Sequence, residues 1–250
     1  MSLENILSNK IDKIFCITLN TSTDRQKLIK ERFPDLTNSP LFEWYITERD
    51  SENSERGCYN SHKNVIDIAK SRSYKKIIIF EDDVDLIVTY SEFVKEVLNV
   101  VDVDFTWSII LLGYFPVSTE KTKYSNLYAI DCALGTHGYM VNLENFKTID
   151  NFKNCAIDQY LFCKCRLFSI NKMKSIDGIF GIYPMLLKQN SKTSTIGSIH
   201  DISGNLNYDR NLLIKVSTQI NICVLFFIIL LCLLACFFII FYNIVRFFHK

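Results

Sequence analysis

Glycine and proline are scarce in this chain, which has 8 Gly and 4 Pro among its 250 residues. That scarcity excludes collagen-like and low-complexity architectures, which need one or both in quantity. An excess of charge of one sign is also missing, because 28 Lys and Arg stand against 27 Asp and Glu. We therefore expect no nucleic-acid partner, since nucleic-acid binding calls for a strongly basic surface. Hydrophobic residues make up 48% of the chain, a composition that excludes wholesale disorder.

Paired cysteine motifs are absent as well. The chain has 9 Cys but no C-x-x-C pair. Cys163 and Cys165, the two closest in sequence, are spaced too tightly for a zinc knuckle. We therefore expect free thiols.

A long hydrophobic run stands near the C-terminus. From Ile222 to Tyr242 the sequence ICVLFFIILLCLLACFFIIFY contains no charge and no proline. As an α-helix this run spans roughly 30 Å, the thickness of a bilayer core. The sequence thus predicts a transmembrane helix over 220–243, between a polar stalk (203–219) and a short basic tail (244–250).

The N-terminus, MSLENILSNKIDKIF, lacks the pattern of a secretory signal peptide. We therefore predict a single-pass, tail-anchored protein whose main domain, residues 1–202, lies in the cytosol. Abundant Ile, Asn and Lys are typical of AT-rich genomes. If the source is an AT-rich virus, the membrane is that of its host.

Apolar runs and helical periodicity alternate through the main domain. The patterns predict strands over 13–19, 42–46, 77–80, 107–112, 127–130 and 138–141. They predict helices over 23–33, 57–71, 91–101, 143–150 and 157–165, with a capping box at Thr23 and Gln26 and an N-cap at Ser91. This alternation indicates an α/β fold with a mixed, mainly parallel sheet and flanking helices.

Three consecutive acids, Glu81, Asp82 and Asp83, follow the strand at Ile77–Phe80 directly. Ligands of open α/β sheets bind at the carboxyl ends of strands, where this cluster lies. Adjacent carboxylates repel one another, and a hard divalent cation such as Mg²⁺ or Mn²⁺ relieves that cost. A cation held by one or two protein carboxylates takes further ligands from phosphates, so the cluster predicts a nucleotide-diphosphate site. The alternative interpretation is a solvated acidic turn.

Six motifs in order resemble glycosyltransferase family 25, the family of bacterial lipooligosaccharide and procollagen galactosyltransferases. They are ITLNTSTDR (17–25), GCYNSH (57–62), IIIFEDDVDL (77–86), GTHGYMV (135–141), AIDQYLF (156–162) and YPMLLKQNSKTSTI (183–196). The resemblance spans residues 13 to 197. It implies a nucleotide-diphospho-sugar transferase of the GT-A fold, with a UDP-sugar donor, a divalent metal and an inverting mechanism.

The same resemblance implies roles for individual residues. Asp83 matches the direct metal ligand, with Glu81 as a second candidate and His200, whose alternative is a surface histidine, as a third. The donor-binding set comprises Asn20, Arg25, Ser61, His62, Glu81, Asp82, Thr136 and Tyr139. Asp158 matches the candidate general base, which deprotonates an acceptor hydroxyl for attack on the anomeric carbon.

The resulting hypothesis is a metal-dependent hexosyltransferase that moves galactose or glucose from a UDP-sugar to a glycan, lipid or protein acceptor. Thr21, Gln26 and Arg56 depart from the family pattern. These departures keep open the alternative of a catalytically inactive, membrane-tethered GT-A-like binding module. An aspartyl phosphatase is a weaker alternative, since Asp82 stands where that class needs an apolar residue.

Overall fold

The computed structural model describes residues 3–146, 149–152, 154–162 and 178–190. Within them the helices are α1 Leu3–Ser8, α2 Thr23–Arg32, α3 Pro34–Thr37, α4 Ser54–Ser71, α5 Tyr90–Val101 and α6 Ile157–Phe162. The strands are β1 Lys13–Leu19, β2 Phe42–Thr47, β3 Lys76–Glu81, β4 Val84–Leu86, β5 Ile109–Lys121, β6 Leu127–Asn142, β7 Ile179–Ile182 and β8 Leu187–Gln189.

The central sheet of the described residues has the strand order β2-β1-β3-β6-β5-β7. Strands β2, β1 and β3 are mutually parallel, and β5 is parallel to β7. Strand β6 runs antiparallel to both β3 and β5. The predicted mixed, mainly parallel sheet is therefore confirmed. A separate antiparallel pair, β4 with β8, lies beside it.

The sheet is covered on both faces, which explains the unbroken apolar runs of its central strands. Along β3 the side chains alternate: Ile78 and Phe80 join the core that contains residues of α2, α3 and α5. Ile77 and Ile79 join the core that contains residues of α4 and α6. Each of these four residues is thus buried between the sheet and one helical layer, and the polar residues of β3, Lys76 and Glu81, stand at its ends.

Several predicted boundaries are wrong, and the causes are local. Residues 127–142 form one long strand rather than two short ones, because the hairpin with β5 continues through them. The predicted helix over 143–150 is a turn at residues 143–145, and 147 and 148 lie outside the described residues.

Helix starts also differ from the predictions. Helix α4 begins three residues earlier than predicted, because the Asn53 side chain accepts the Arg56 N–H at 2.9 Å. Helix α5 is capped by Thr89 rather than by Ser91. Helix α2 has no side-chain cap, so the predicted capping box at Thr23 is wrong.

Among the cysteines of the described part, Cys16, Cys58 and Cys155 are free, as expected. Cys132 is disulfide-bonded, so the expectation is wrong there. In the described portion of the chain, no helix is long and apolar enough to cross a membrane. The predicted span at 220–243, with its stalk and tail, lies outside that portion.

Candidate active site

The predicted acidic cluster lies at the carboxyl end of β3, next to the carboxyl end of β1. Parallel pairing places Ile17 beside Glu81, so the next residues of β1 flank Asp82 and Asp83. The turn after β1 leads directly into α2, which carries Arg25. The sheet thus brings together two motifs that are far apart in sequence.

Asp82 is held by two partners, and both of its carboxylate oxygens are engaged. Oδ1 accepts a hydrogen bond from Arg25 at 2.7 Å, and Oδ2 accepts one from the Thr18 hydroxyl at 2.7 Å. The Asp82 side chain is 7% exposed and that of Arg25 is 14% exposed, so this is an ion pair sheltered from water. In this arrangement Asp82 positions Arg25 and anchors α2 to the sheet.

Asp83 has one oxygen without a partner. Its Oδ2 accepts a hydrogen bond from the Gln189 side chain at 3.0 Å. Its Oδ1 is buried and has no hydrogen-bond partner among the described residues, and the same holds for Nη2 of Arg25. Burial, reinforced by the charge of Glu81, raises the pKa of Asp83 from 3.8 to about 7. A carboxylate so poorly compensated is suited to a cation.

Glu81 belongs to a network with three other predicted residues. Its Oε1 accepts a hydrogen bond from the Thr136 hydroxyl and lies 3.2 Å from Nε2 of His62. The other ring nitrogen of His62, Nδ1, lies 2.8 Å from the Tyr139 hydroxyl. Burial alone raises the pKa of Glu81, but the hydrogen bond and charge of His62, with Thr136, outweigh it and lower the pKa. Glu81 is therefore an ionised, firmly oriented carboxylate.

Asp158 lies at the start of α6 and joins this network through the backbone of β6. Its Oδ2 accepts the N–H of Gly135 at 2.9 Å, and its Oδ1 accepts that of Gln159 at 2.7 Å. Gly135 has φ +87°, a conformation that favours glycine, and its neighbour Thr136 binds Glu81. Burial raises the pKa of Asp158, although these backbone hydrogen bonds partly offset it. A raised pKa brings a carboxyl group closer to the range of a general base.

Two predicted donor-binding residues take no part in these networks. Asn20 is exposed just beyond β1, and its backbone N–H donates to the carbonyl of Thr47 at 2.9 Å. The Ser61 hydroxyl is turned back onto its own helix, where it donates to the Gly57 carbonyl at 2.8 Å. The third metal candidate, His200, lies outside the described residues.

Sequence reasoning missed Thr18 and Gln189, which hold Asp82 and Asp83 respectively. Thr18 is a buried residue near the end of an apolar strand. A hydroxyl residue in such a run is the sequence feature that could have identified it. Gln189 lies within the last quoted motif, but only the β4–β8 pairing shows which acid it contacts.

Comparison with known proteins bears on this site. The pattern of glycosyltransferase family 25 (LPS biosynthesis protein) matches residues 37–160, just under half of the chain. That segment includes the acidic cluster, His62, Thr136, Tyr139 and Asp158. The chain is a glycosyltransferase. The match supports family 25 for this segment of the enzyme, whereas Arg25 and Gln189 lie outside it.

Solved structures are similar to the enzyme at low identity. A197 from STIV is 15% identical, with 70% of this chain and 83% of that chain covered and a TM-score of 0.40. A glycosyltransferase involved in glycosylation of the major capsid of PBCV-1 is 13% identical, with 53% and 62% covered and a TM-score of 0.34. HddC from Yersinia pseudotuberculosis is 11% identical, with 75% and 76% covered and a TM-score of 0.35. No curated protein matches the sequence.

Proposed function

We propose that this glycosyltransferase moves a hexose, galactose or glucose, from a UDP-sugar to a hydroxyl group of a glycan, lipid or protein acceptor. We further propose that its sheet is that of a GT-A fold and that the reaction inverts the anomeric centre. The observation that carries the proposal is a pair of buried groups at the carboxyl ends of β1 and β3, Oδ1 of Asp83 and Nη2 of Arg25, neither of which has a partner in residues 3–146, 149–152, 154–162 and 178–190.

A sugar-nucleotide diphosphate bound with its cation satisfies both of these groups. The Arg25 guanidinium donates hydrogen bonds to phosphate oxygens, a geometry for which its planar fork is suited. Asp83 offers an oxygen ligand to Mg²⁺ or Mn²⁺, and one protein carboxylate is enough when phosphates and water complete the shell. When bound, that cation supplies Lewis-acid stabilisation of the leaving diphosphate.

The residues around Glu81 are proposed to hold the donor from the opposite side. His62 and Thr136 fix one oxygen of Glu81, and Tyr139 fixes His62 in turn. Held in this way, Glu81 can bind donor hydroxyl groups without losing the entropy of a free side chain.

Asp158 is proposed to be the general base. Its burial favours proton uptake, since burial disfavours the charged form. In an inverting transfer, the acceptor hydroxyl gives its proton to Asp158 as its oxygen attacks the anomeric carbon and the bond to the diphosphate breaks. Asp158→Asn should therefore keep donor binding and lower the transfer rate by about a hundredfold or more. Substantial transfer by this variant, measured alongside donor affinity, would place the base elsewhere.

The decisive experiment measures UDP release by the full chain in detergent micelles, across a panel of UDP-sugars, with Mn²⁺ or with chelator. Asp83→Asn removes the charge at constant size and should abolish metal-dependent release. Asp85→Asn is the matched control, because Asp85 pairs with Arg32 and Lys188 rather than with the cluster. Metal-dependent release of UDP from one donor, retained in Asp85→Asn, supports the proposal and names the sugar. UDP binding without release from any donor favours the inactive binding module.

We also propose that residues 220–243 span a bilayer as a tail anchor, with the catalytic domain in the cytosol. The support is the uncharged run of bilayer-spanning length. Leu231→Arg and Leu234→Arg should each cost about 3 kcal/mol at the bilayer centre, and the double variant should be released from membranes. Unchanged sedimentation of that double variant with the membrane fraction would contradict the anchor.

A further inference from the structure

Cys58 and His62 lie one turn apart on α4 and face Glu81 at the end of β3. The Cys58 sulfur, a ring nitrogen of His62 and a carboxylate oxygen of Glu81 all lie within 4.8 Å of one another. Spacing of i and i+4 on a helix places two side chains on one face, a recurrent way of presenting two metal ligands. Cys58 has no role in the glycosyl transfer proposed above.

The separation of the two harder ligands matches a shared metal. Nitrogen and oxygen ligands of Zn²⁺ lie about 2.0–2.2 Å from the metal. In a tetrahedral site two such ligands are then about 3.3 Å apart. Nε2 of His62 and Oε1 of Glu81 are separated by 3.2 Å. The Cys58 sulfur lies within 4.8 Å of both atoms and is the third ligand of the set.

The surroundings supply the outer contacts that orient metal ligands. The second nitrogen of His62 is held by the Tyr139 hydroxyl, which leaves Nε2 directed at Glu81. The Glu81 carboxylate is held by the Thr136 hydroxyl. Histidine and carboxylate ligands are usually fixed by such partners, and these partners strengthen metal affinity. The His62 side chain is fully buried, while that of Glu81 is 20% exposed. Solvent is therefore excluded around His62, and an ion can reach the cluster at Glu81.

We propose that Cys58, His62 and Glu81 form a site for a thiolate-binding divalent cation, with Zn²⁺ as the best fit. The donor set of sulfur, nitrogen and oxygen suits Zn²⁺ and disfavours Mg²⁺, which prefers oxygen ligands. Three protein ligands leave a fourth position open to water or to a substrate group. The site shares His62 and Glu81 with the proposed donor-binding network, whereas its ligand set leaves out Asp83, the proposed hard-cation position.

Cobalt(II) provides the test, because a thiolate ligand gives it a near-ultraviolet charge-transfer band and a tetrahedral site gives intense visible bands. The full chain in detergent micelles is titrated with Co²⁺ in the presence of excess Mg²⁺. We expect one equivalent of Co²⁺ to produce both features and Zn²⁺ to remove them, since Zn²⁺ binds such sites more tightly than Co²⁺ does.

Three variants locate the site. Cys58→Ser should lose the charge-transfer band, whereas Cys155→Ser, a matched change at another free and partly buried cysteine, should retain it. Asp83→Asn should also retain the band, because its carboxylate is outside the proposed ligand set. Glu81→Gln provides a second route should Cys58→Ser fail to fold, and it should weaken Co²⁺ binding by at least about tenfold.

Two outcomes overturn the proposal. A charge-transfer band that persists in a folded Cys58→Ser would assign the thiolate to another cysteine. A band lost in Asp83→Asn would mean one composite metal site rather than two. Both outcomes are read from the Co²⁺ spectrum, whereas the transferase reaction is tested by UDP release, so failure of this site and failure of the transferase reaction are distinguishable.

Discussion

At the residue scale, adjacent acids in this site have different tasks because their partners differ. Asp82 is fully engaged by Arg25 and Thr18, while one oxygen of Asp83 has no partner within the part of the chain that the structure describes. A buried ion pair is costly to break on one side, because the remaining charge is left without compensation. A buried carboxylate without a cation is instead disfavoured in its charged form.

Asp82→Asn should destabilise the domain by about 3 kcal/mol, because it leaves the sheltered Arg25 cation without its counter-charge. Asp85→Asn, which breaks only longer and more exposed ion pairs, should cost less than about 1 kcal/mol. Denaturant titration of the unaltered chain and of the two variants measures both differences in the free energy of unfolding. Equal stability of the two variants would contradict a structural role for the Arg25–Asp82 pair.

The raised pKa of Asp83 gives the metal-free protein a defined pH dependence. Because the folded-state pKa of about 7 exceeds the ordinary 3.8, the Asp83 contribution to stability is present below about pH 4. That contribution is lost as the pH rises through 7. In chelator at pH 8, Asp83→Asn should therefore be more stable than the unaltered chain by on the order of 2 kcal/mol.

Thermal unfolding at several pH values, with chelator and with Mn²⁺, checks this expectation. Mn²⁺ should raise the melting temperature of the unaltered chain, since a ligand that binds only the native state stabilises it. In Asp83→Asn, Mn²⁺ should raise the melting temperature little, because the carboxylate proposed to bind the cation is missing. A melting temperature that is higher at pH 8 than at pH 5 in chelator, and unaffected by Asp83→Asn, would refute the linkage.

At the element scale, α4 and α5 each begin where a side chain accepts one of the first N–H groups of the helix. In α5 the Thr89 hydroxyl accepts the Glu92 N–H, and the Glu92 carboxylate accepts the Thr89 N–H in return. This reciprocal pair is a capping box, which satisfies donors that the helix itself cannot. Ser91 lies inside the helix, so its hydroxyl is not the cap.

Thr89→Ala should lower the free energy of unfolding by about 1 kcal/mol, the usual cost of losing an N-cap. Ser91→Ala, which removes a hydroxyl two residues away, should change it by less than about 0.5 kcal/mol. Chemical denaturation of both variants discriminates the two positions. A larger loss for Ser91→Ala would mean that the helix starts later than the structure shows.

At the scale of the whole molecule, the late strand β8 completes the site that β1 and β3 begin. It pairs with β4 and places Gln189 against Asp83. Its approach to the sheet depends on Gly113 of β5, where a Cβ would lie 2.5 Å from the Leu187 carbonyl oxygen. Backbone atoms cannot move aside as a side chain can, so glycine is required for this close contact.

Gly113→Ala should cost about 2 kcal/mol by overpacking and should also weaken the proposed UDP binding, because β8 carries Gln189. Ser118→Ala, on a half-buried part of the same strand, introduces the same residue and should be near neutral. Unfolding and UDP-binding titrations on both variants measure the two effects. If Gly113→Ala is destabilised but binds the donor with normal affinity, the packing of β8 does not contribute to donor binding.

The sequence by itself determined the fold class and the place of the acidic cluster. The apolar runs of β1 and β3 have a length and composition typical of buried parallel strands, and such strands put the residues that follow them at the ligand-binding edge. These features are local, because apolar runs and side-chain periodicity are properties of consecutive residues. For the same reason, the predicted strand boundaries are wrong where pairing with a distant strand lengthens a strand, as β5 lengthens β6.

Only the tertiary structure decided which partner each acid of the cluster contacts. Arg25 meets Asp82 across 57 residues of chain, and Gln189 meets Asp83 across 106. It also decided that Cys58, His62 and Glu81 converge, since α4 and β3 must pack before their ligand atoms meet. Hydrogen bonding and pKa depend on the distance and burial of groups that are remote in sequence, and those quantities exist only once the sheet has formed.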